Sequence, residues 1–454
     1  MPAARATVVA YGVPAFGVMA ATTLFYAYFV KYATDVLLVP AGAMGALYLA
    51  NRVWDAVTDP LVGHLSDGTR SRLGRRRPWI VASVVPLVAF TWAAWAPPES
   101  LDGGALVLWV GAAMLGFSTA TTLFQVPHNA LGAELAADYH GRTRVFASRE
   151  YFAVVGAALA LFLGVGALTR TADPRAAALG VAGALAAAMV VGIAAALPFL
   201  RERADYQARP APRLATALRD IAANPHARTI LGMAAVLQMG GGAASVLSPY
   251  VVDDVIGARE HTRIVYLTLM TAQLAAIPLW TRVATRLGKK HAWLGAMAVG
   301  MIGYAMILFV REGDLVLLCA ATVFTASLHA AAIVVGYSVI ADVVDWDELR
   351  TGERKEASYY AVYHFLYKAA SGAMGMIAGF GLQWAGYDPS PEALEQPLVV
   401  KRAMTAMLGG IPLACIACGA ALFTRYRLSA EEHARIRAAL DARAAGPLAA
   451  ESSR

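Results

Sequence analysis

The sequence predicts an all-α membrane protein of twelve transmembrane helices arranged as two six-helix halves, with both termini cytoplasmic. Three observations predict it. The 454 residues are 58% hydrophobic and only 15% charged, with a mean hydropathy of +0.54, outside the range of soluble globular domains. Apolar runs recur along the whole chain, and at about 20 residues per span plus short connections there is room for roughly twelve. The longest polar interruption, 201–227, carries Pro210, Pro212 and Pro225 and divides the runs six and six.

The runs fall at about 7–30, 41–62, 79–97, 105–131, 147–169 and 177–200, then at 228–252, 262–282, 291–310, 315–341, 358–386 and 402–424. The first is longer than a signal-peptide core and leads into the rest of the bundle, so no cleavable signal is expected. Residues 1–200 are therefore expected to form an N-terminal half, 201–227 a cytoplasmic central linker, 228–424 a C-terminal half and 425–454 a cytoplasmic tail. Lys and Arg set the orientation. About twenty lie in the connections after spans 2, 4, 6, 8 and 10, among them Arg70, Arg72, Arg75, Arg76, Arg77, Lys289 and Lys290, against about seven in the alternate connections. The +7 net charge thus reflects topology, not a nucleic-acid partner. The tail, rich in Ala and Arg, is expected to be a solvated or interfacial helix without a specific function. Cys415 and Cys418 form a C-x-x-C inside the last span with no His or Cys near in sequence, and read as small buried packing residues.

Span 2 carries the most informative stretch, Arg52-Val53-Trp54-Asp55-Ala56-Val57-Thr58-Asp59-Pro60. Charges at membrane depth are costly and face a bundle interior or a water-filled path. Asp55 and Asp59, four apart, share one helix face, with Arg52 one turn before Asp55. Two acids there suit a coupling-cation site, either as ligands for Na⁺ or as a pair that takes up H⁺, with Arg52 holding them; the alternative is a static ion network that locks helices together. Two further charges read as intramembrane. Arg149 opens span 5, and Lys368 sits in the middle of span 11, where it needs a carboxylate partner, with Asp55 or Asp59 as candidates, unless it snorkels to an interface. Gly240-Gly241-Gly242, followed by Pro249, marks either a break in span 7 or a packing notch for a neighbouring helix.

The connection after span 2, Gly63 to Trp79, holds five arginines and Asp67; a counterpart from Ala341 to Ala357 alternates acids and bases. Breakable ion pairs at such an edge suit a cytoplasmic gate, for which Asp67, Arg75, Asp342 and Asp345 are the candidates.

On these residues the chain resembles the glycoside-pentoside-hexuronide:cation symporters of the major facilitator superfamily. Arg52 to Pro60, Ser66 to Trp79, Val126-Pro127-His128-Asn129-Ala130-Leu131 with Arg142, Arg144 and Arg149 beyond, Ala341 to Ala357, and Lys368 carry the resemblance over nearly the whole length. It implies a major facilitator fold that couples a Na⁺ or H⁺ gradient to uptake of a small solute. It also implies that Asp55, Asp59 and Thr122 bind the cation, that Arg149 lines the substrate cavity and that Lys368 approaches the aspartates. Expected lining residues of a central cavity are Tyr26, Gln125, Asn129, Arg149, Gln238, Tyr250 and Lys368, Tyr26 and Tyr250 being equally compatible with interfacial anchors.

The departures are specific. Val18 and Met19 stand where the sugar-transporting pattern has a lysine and a substrate-binding aspartate, Gln125 replaces a second acid, Asn129 a tryptophan and Ile333 an aromatic residue. Carboxylates accept several sugar hydroxyls and indoles stack on pyranose faces, so these changes argue against a galactoside. The animal sodium-dependent lysophosphatidylcholine symporters share the span 2 core without those acids, which makes a lysophospholipid or other amphiphile the alternative substrate. A non-transporting sensor of the same fold is a further alternative.

Enzyme activity is not expected, since neither H-E-x-x-H nor G-x-S-x-G occurs and the nine histidines are dispersed; His128 reads as a packing or substrate-contact group. The expected partners are a small-molecule substrate and the lipid bilayer, with no nucleic acid, no cofactor and no metal beyond the coupling ion. A monomer in a bacterial inner membrane is the expected setting.

Overall fold

The computed structural model describes residues 5–135, 139–200, 214–258, 261–352, 356–389, 395–428 and 430–451. Every regular element among them is helical. The first half contains α1 (Arg5–Asp35), α2 (Ala41–Gly68), α3 (Arg77–Trp95), α4 (Gly103–Leu135), α5 (Tyr139–Leu159), α6 (Val165–Thr169) and α7 (Pro174–Ala196). A π turn, Ala160–Gly164, joins α5 to α6 so that they run as one rod. The second part contains α8 (Leu214–Ala223), α9 (Pro225–Tyr250), α10 (Thr262–Leu287), α11 (Lys289–Ile307), α12 (Leu315–Ala331), α13 (Tyr337–Thr351), α14 (Glu356–Trp384), α15 (Leu398–Thr424) and α16 (Ala430–Glu451). Further π turns extend α9 (Val251–Val255) and join α12 to α13 (Ala332–Gly336).

Nine helical runs among the described residues are long and apolar enough to cross a membrane. Helices α2, α11 and α14, of 28, 19 and 29 residues, are also long enough to span but more polar. In α2 the reason is the three charges of the Arg52–Asp59 stretch. Its opposite face, Trp54, Val57, Leu61 and Leu65, follows a helical spacing and is exposed, as a lipid-facing stripe should be.

Polar residues set the helix starts. Asp173 caps α7 by accepting from the Ala176 N–H, with Pro174 at the first position. Asn224 caps α9 through the N–H groups of His226 and Ala227, while its amide donates to the Tyr359 hydroxyl at 2.8 Å and ties α9 to α14. Gly288, with a φ of 85°, links α10 to α11 with one residue.

The expected linker 201–227 is not wholly polar loop. Helix α8 lies within it, and α9 already begins at Pro225; residues 201–213 lie outside the described residues. Helix α9 runs unbroken through Gly240–Gly242, so the triplet is a packing notch: a Cβ on Gly242 would come 2.3 Å from the Ser371 carbonyl oxygen of α14, and one on Gly240 3.0 Å from Pro412 of α15. Of the C-x-x-C pair, Cys415 is half-buried and Cys418 exposed, correcting the expectation that both are buried. The tail is not merely solvated: α16 docks its His433 and Arg437 on Asp345 of α13, and Ile436 is buried beneath it.

Helix α2 packs closely against α14. Gly375 and Gly379 of α14 stand one turn apart, and Cβ atoms there would meet the Tyr48 ring at 2.5 Å and the Ala41 carbonyl at 2.6 Å. Small residues let the two backbones meet, as helix pairs in lipid require. This contact carries Lys368, a turn before Gly372, onto the charged face of α2.

Candidate cation site and its surroundings

Helices α2 and α4 run parallel, and the register between them is constant. Ser118 donates to Asp55, and Thr122 Oγ1 donates to Asp59 Oδ1 at 2.9 Å, each pair 63 residues apart. Two acids at i, i+4 thus meet two hydroxyls at i, i+4. From α14 the Lys368 ammonium lies 2.5 Å from Asp59 Oδ2 and 3.3 Å from Asp55 Oδ2. Arg52 is 4.0 Å from Asp55, donates to the Tyr48 hydroxyl at 3.0 Å, and stacks over the Tyr26 ring at 3.7 Å. The Tyr26 hydroxyl donates to Asp55 at 3.4 Å and accepts from Asn51 Nδ2 at 3.3 Å. Charges balance: two carboxylates face one ammonium and one guanidinium. Asp55 is 8% exposed at its side chain and Asp59 32%, so the cluster is open at the Asp59 end.

Asp55, Asp59, Thr122, Arg52, Lys368 and Tyr26 are therefore brought together. The other expected lining residues are distributed. Gln125 touches the Met19 sulfur at 4.0 Å, Asn129 is exposed, and Arg149 pairs with its neighbour Glu150. Gln238 borders a separate small cavity beside His329. Tyr250 is neither a lining residue nor an interfacial anchor; it is fully buried, its hydroxyl 2.8 Å from Thr34 Oγ1. Val18 is fully buried in the core. His128 is a packing group, stacked between Tyr11 and Phe124 at 4.3 and 4.8 Å with Nε2 at the Tyr11 carbonyl.

Ser118, Asn51 and Tyr48 belong to the same cluster and are not among the residues expected from the sequence. The signal for Ser118 was its spacing of four from Thr122, which repeats that of the two aspartates. A second missed cluster centres on Lys31, 1% exposed, 2.6 Å from Asp35 and in contact with Asp254 from the π turn after α9. Its ammonium also donates to the Tyr387 hydroxyl at 3.1 Å, and that hydroxyl donates to Asp35 at 2.5 Å. Burial holds the Tyr387 phenol well above its ordinary value, which keeps it a donor. Lys31 lies one residue past the first apolar run and reads in sequence as a flanking charge.

The gate candidates close within one side of the molecule. Asp342 binds Lys289 of α11 at 2.6 Å and lies 3.4 Å from His433, while Asp345 meets His433 at 3.1 Å and Arg437 at 3.5 Å. Arg75 is half-buried, but its neighbour Arg76 is the buried one, donating to Ser66 at 2.6 Å. The Asp67 side chain lies outside the described residues.

Comparison with known proteins places this geometry in context. The profile of the family described as MFS/sugar transport protein matches residues 10–430. The putative glycoside/cation symporter YagG of Escherichia coli is 25% identical over 90% of this chain and 88% of its own length. The inner membrane symporter YicJ of the same organism is 25% identical over 88% and 86%. The sodium-dependent lysophosphatidylcholine symporter 1 of Xenopus tropicalis is 25% identical over 89% and 84%. Among solved structures, the nucleoside transporter NupG superposes with a TM-score of 0.69 at 12% identity, covering 92% of this chain and all of that one, a likeness of fold alone. With the family's profile matched from the first helix to the start of the tail helix, this multi-pass membrane protein has the major facilitator fold and belongs to the MFS/sugar transport family.

Proposed function

We propose that the chain is a cation-coupled symporter of a bacterial inner membrane, carrying a sugar, glycoside or uronide-like solute by alternating access between two six-helix halves. Residues 1–200 and 228–424 form the halves in this reading, 201–227 joins them at the cytoplasmic face, and 425–454 is a cytoplasmic tail. The observation that carries it is the Lys368 ammonium set between the carboxylates of Asp55 and Asp59. The ammonium comes from one half and the acids from the other, so it stands where a mobile cation would stand.

An incoming Na⁺ would find hard oxygen donors in Asp55, Asp59, Ser118 and Thr122, and a buried Asn51 Oδ1 that has no hydrogen-bond partner among the described residues. An incoming H⁺ would neutralise one acid. Either cation relieves acid–acid repulsion and releases Lys368, changing how the halves attract at this level. Reciprocity then requires that a substrate bound between the halves change cation affinity by the same factor.

The test is gradient-driven uptake in proteoliposomes over a panel of sugars, glycosides, uronides and lysolipids. Asp55→Asn and Asp59→Asn are expected to abolish accumulation in protein that still folds and inserts; normal uptake by both variants sinks the reading. One feature favours an amphiphile as second reading: a groove of about 420 Å³ along α1, α5, α6 and α7 is lined only by apolar residues, as an acyl chain would require. Uptake of lysophosphatidylcholine and of no glycoside selects it.

A further inference from the structure

Away from the carboxylate pair, a cavity of about 240 Å³ lies among α1, the π turn after α5, α9, α10, α11, α12 and α15. A smaller one of about 60 Å³ shares Gly241, Tyr304 and His329 with it and adds Gln238. No lining residue of either carries a carboxylate, an ammonium or a guanidinium. The walls are largely aliphatic, with a few polar groups converging on them, as small-molecule sites are built.

Two of those groups have unused hydrogen-bonding capacity. His329 Nδ1 lies 3.0 Å from the Thr325 carbonyl, which can only accept, so the proton is on Nδ1 and the neutral ring keeps Nε2 as an acceptor. Tyr304 is 4% exposed, and among the described residues its hydroxyl has no hydrogen-bond partner. The hydroxyl keeps accessible surface where the ring borders the cavity, so it is open to a molecule held there. The helices also lose regularity at these walls. Leu161 lines the larger cavity from the π turn Ala160–Gly164, and Ala332 lines the smaller from the π turn Ala332–Gly336. Single π turns inside helices concentrate at functional sites.

We infer that this cavity is a substrate subsite for an uncharged, hydroxyl-bearing ring, in which His329 Nε2 accepts from a ring hydroxyl and the Tyr304 hydroxyl donates to a ring oxygen. The inference rests on the symport reading and gives its substrate a class, the neutral glycoside. A charged head group would find no counter-ion here, and a plain acyl chain would leave both polar groups unpaired. The subsite also has a route to the cation site. Ser245, in its wall, donates to the Tyr26 carbonyl at 3.2 Å, and the Tyr26 hydroxyl donates to Asp55. A ring that shifts α9 against α1 therefore moves a residue bonded to the cation-site acid.

The experiment uses full-length protein in detergent with methyl and 4-nitrophenyl glycosides of neutral hexoses and pentoses, a 4-nitrophenyl glucuronide, and lysophosphatidylcholine. Each is titrated with and without Na⁺ at two pH values and read as a shift in Tm. A neutral glycoside is expected to raise the Tm. His329→Ala and Tyr304→Phe should each weaken its Kd about tenfold, and His329→Gln, which returns an acceptor, should recover part of that loss. The cation-induced shift, which depends on Asp55 and Asp59, should persist in all three and serves as the control for folding. The inference is overturned if no neutral glycoside raises the Tm, if only the glucuronide or the lysolipid does, or if a bound glycoside is indifferent to both substitutions. In those cases a cation shift abolished by Asp59→Asn leaves the symport reading intact, whereas a wild-type protein indifferent to Na⁺ and pH would remove that reading instead.

Discussion

The molecule holds two ion clusters in which one ammonium lies between two carboxylates, the first with the Arg52 guanidinium beside it as well, and they differ in access. Around Lys368 the acids are Asp55 and Asp59, with Asp59 32% exposed at its side chain. Around Lys31 they are Asp35 and Asp254, at 15% and 19%, and the ammonium itself is 1% exposed beneath the rings of Tyr250 and Tyr387. Both join elements from the two ends of the sequence. The difference teaches that the same charges serve two purposes according to what can reach them. In the proposed symport cycle the open cluster would exchange its ammonium for a cation, whereas the sealed one would change only if the helices carrying it separate.

Breaking the open cluster should have the largest effect. Asp59→Asn is expected to lower cation-driven accumulation by about 100-fold, a coupling loss at the upper end of ordinary linkage, while Tm without cation changes little. Next comes the sealed cluster. Lys31→Met leaves two carboxylates facing each other without a counter-ion, and removing one partner of a buried ion pair costs about 3 kcal/mol. A lowered Tm should follow, largely restored by adding Asp35→Asn and Asp254→Asn. If Na⁺ instead stabilises Lys31→Met more than it stabilises the wild type, the sealed cluster is exchangeable too and the contrast fails.

Lys368→Met sharpens the comparison from the other side. It removes the competing ammonium and leaves acid–acid repulsion for a cation to relieve, so Na⁺ affinity measured by thermal titration should rise roughly tenfold while its dependence on substrate is lost. The smallest effect is expected from Thr122→Val. Losing one neutral hydroxyl is worth about 1 kcal/mol, or about fivefold in cation affinity. A larger loss would make Thr122 a dominant ligand rather than one of several.

Much of this was legible in the sequence, because lipid makes charges conspicuous. Asp55, Asp59 and Lys368 stand out in apolar runs, and their pairing follows from the cost of leaving any of them alone. The Lys31 cluster was hidden for the converse reason: a lysine at the edge of a run looks like a snorkelling anchor, and its partners arrive from 223 and 356 residues away. Tyr304 and His329 were hidden because neither is unusual in an apolar helix; only their place on one cavity wall, with the Tyr304 hydroxyl and His329 Nε2 unused among the described residues, distinguishes them. Tyr250 shows the limit of placing a residue by helix number alone, since an aromatic near the end of span 7 can face a cavity or a sealed contact with the same sequence signature.

The π turn at Ala332–Gly336 has a consequence for phase. An α-helix turns about 100° per residue, and a π turn amounts to one inserted residue, so everything after it is rotated relative to what precedes it. Within one continuous rod, His329 stands before the turn and borders the cavity, while Asp342 and Asp345 stand after it and meet Lys289 and the tail helix. Removing a single residue from this turn would restore an uninterrupted spiral and carry the two aspartates away from His433 and Arg437, with the cavity end of the rod left as it is. The register between the two ends of this rod is thus set by a single residue.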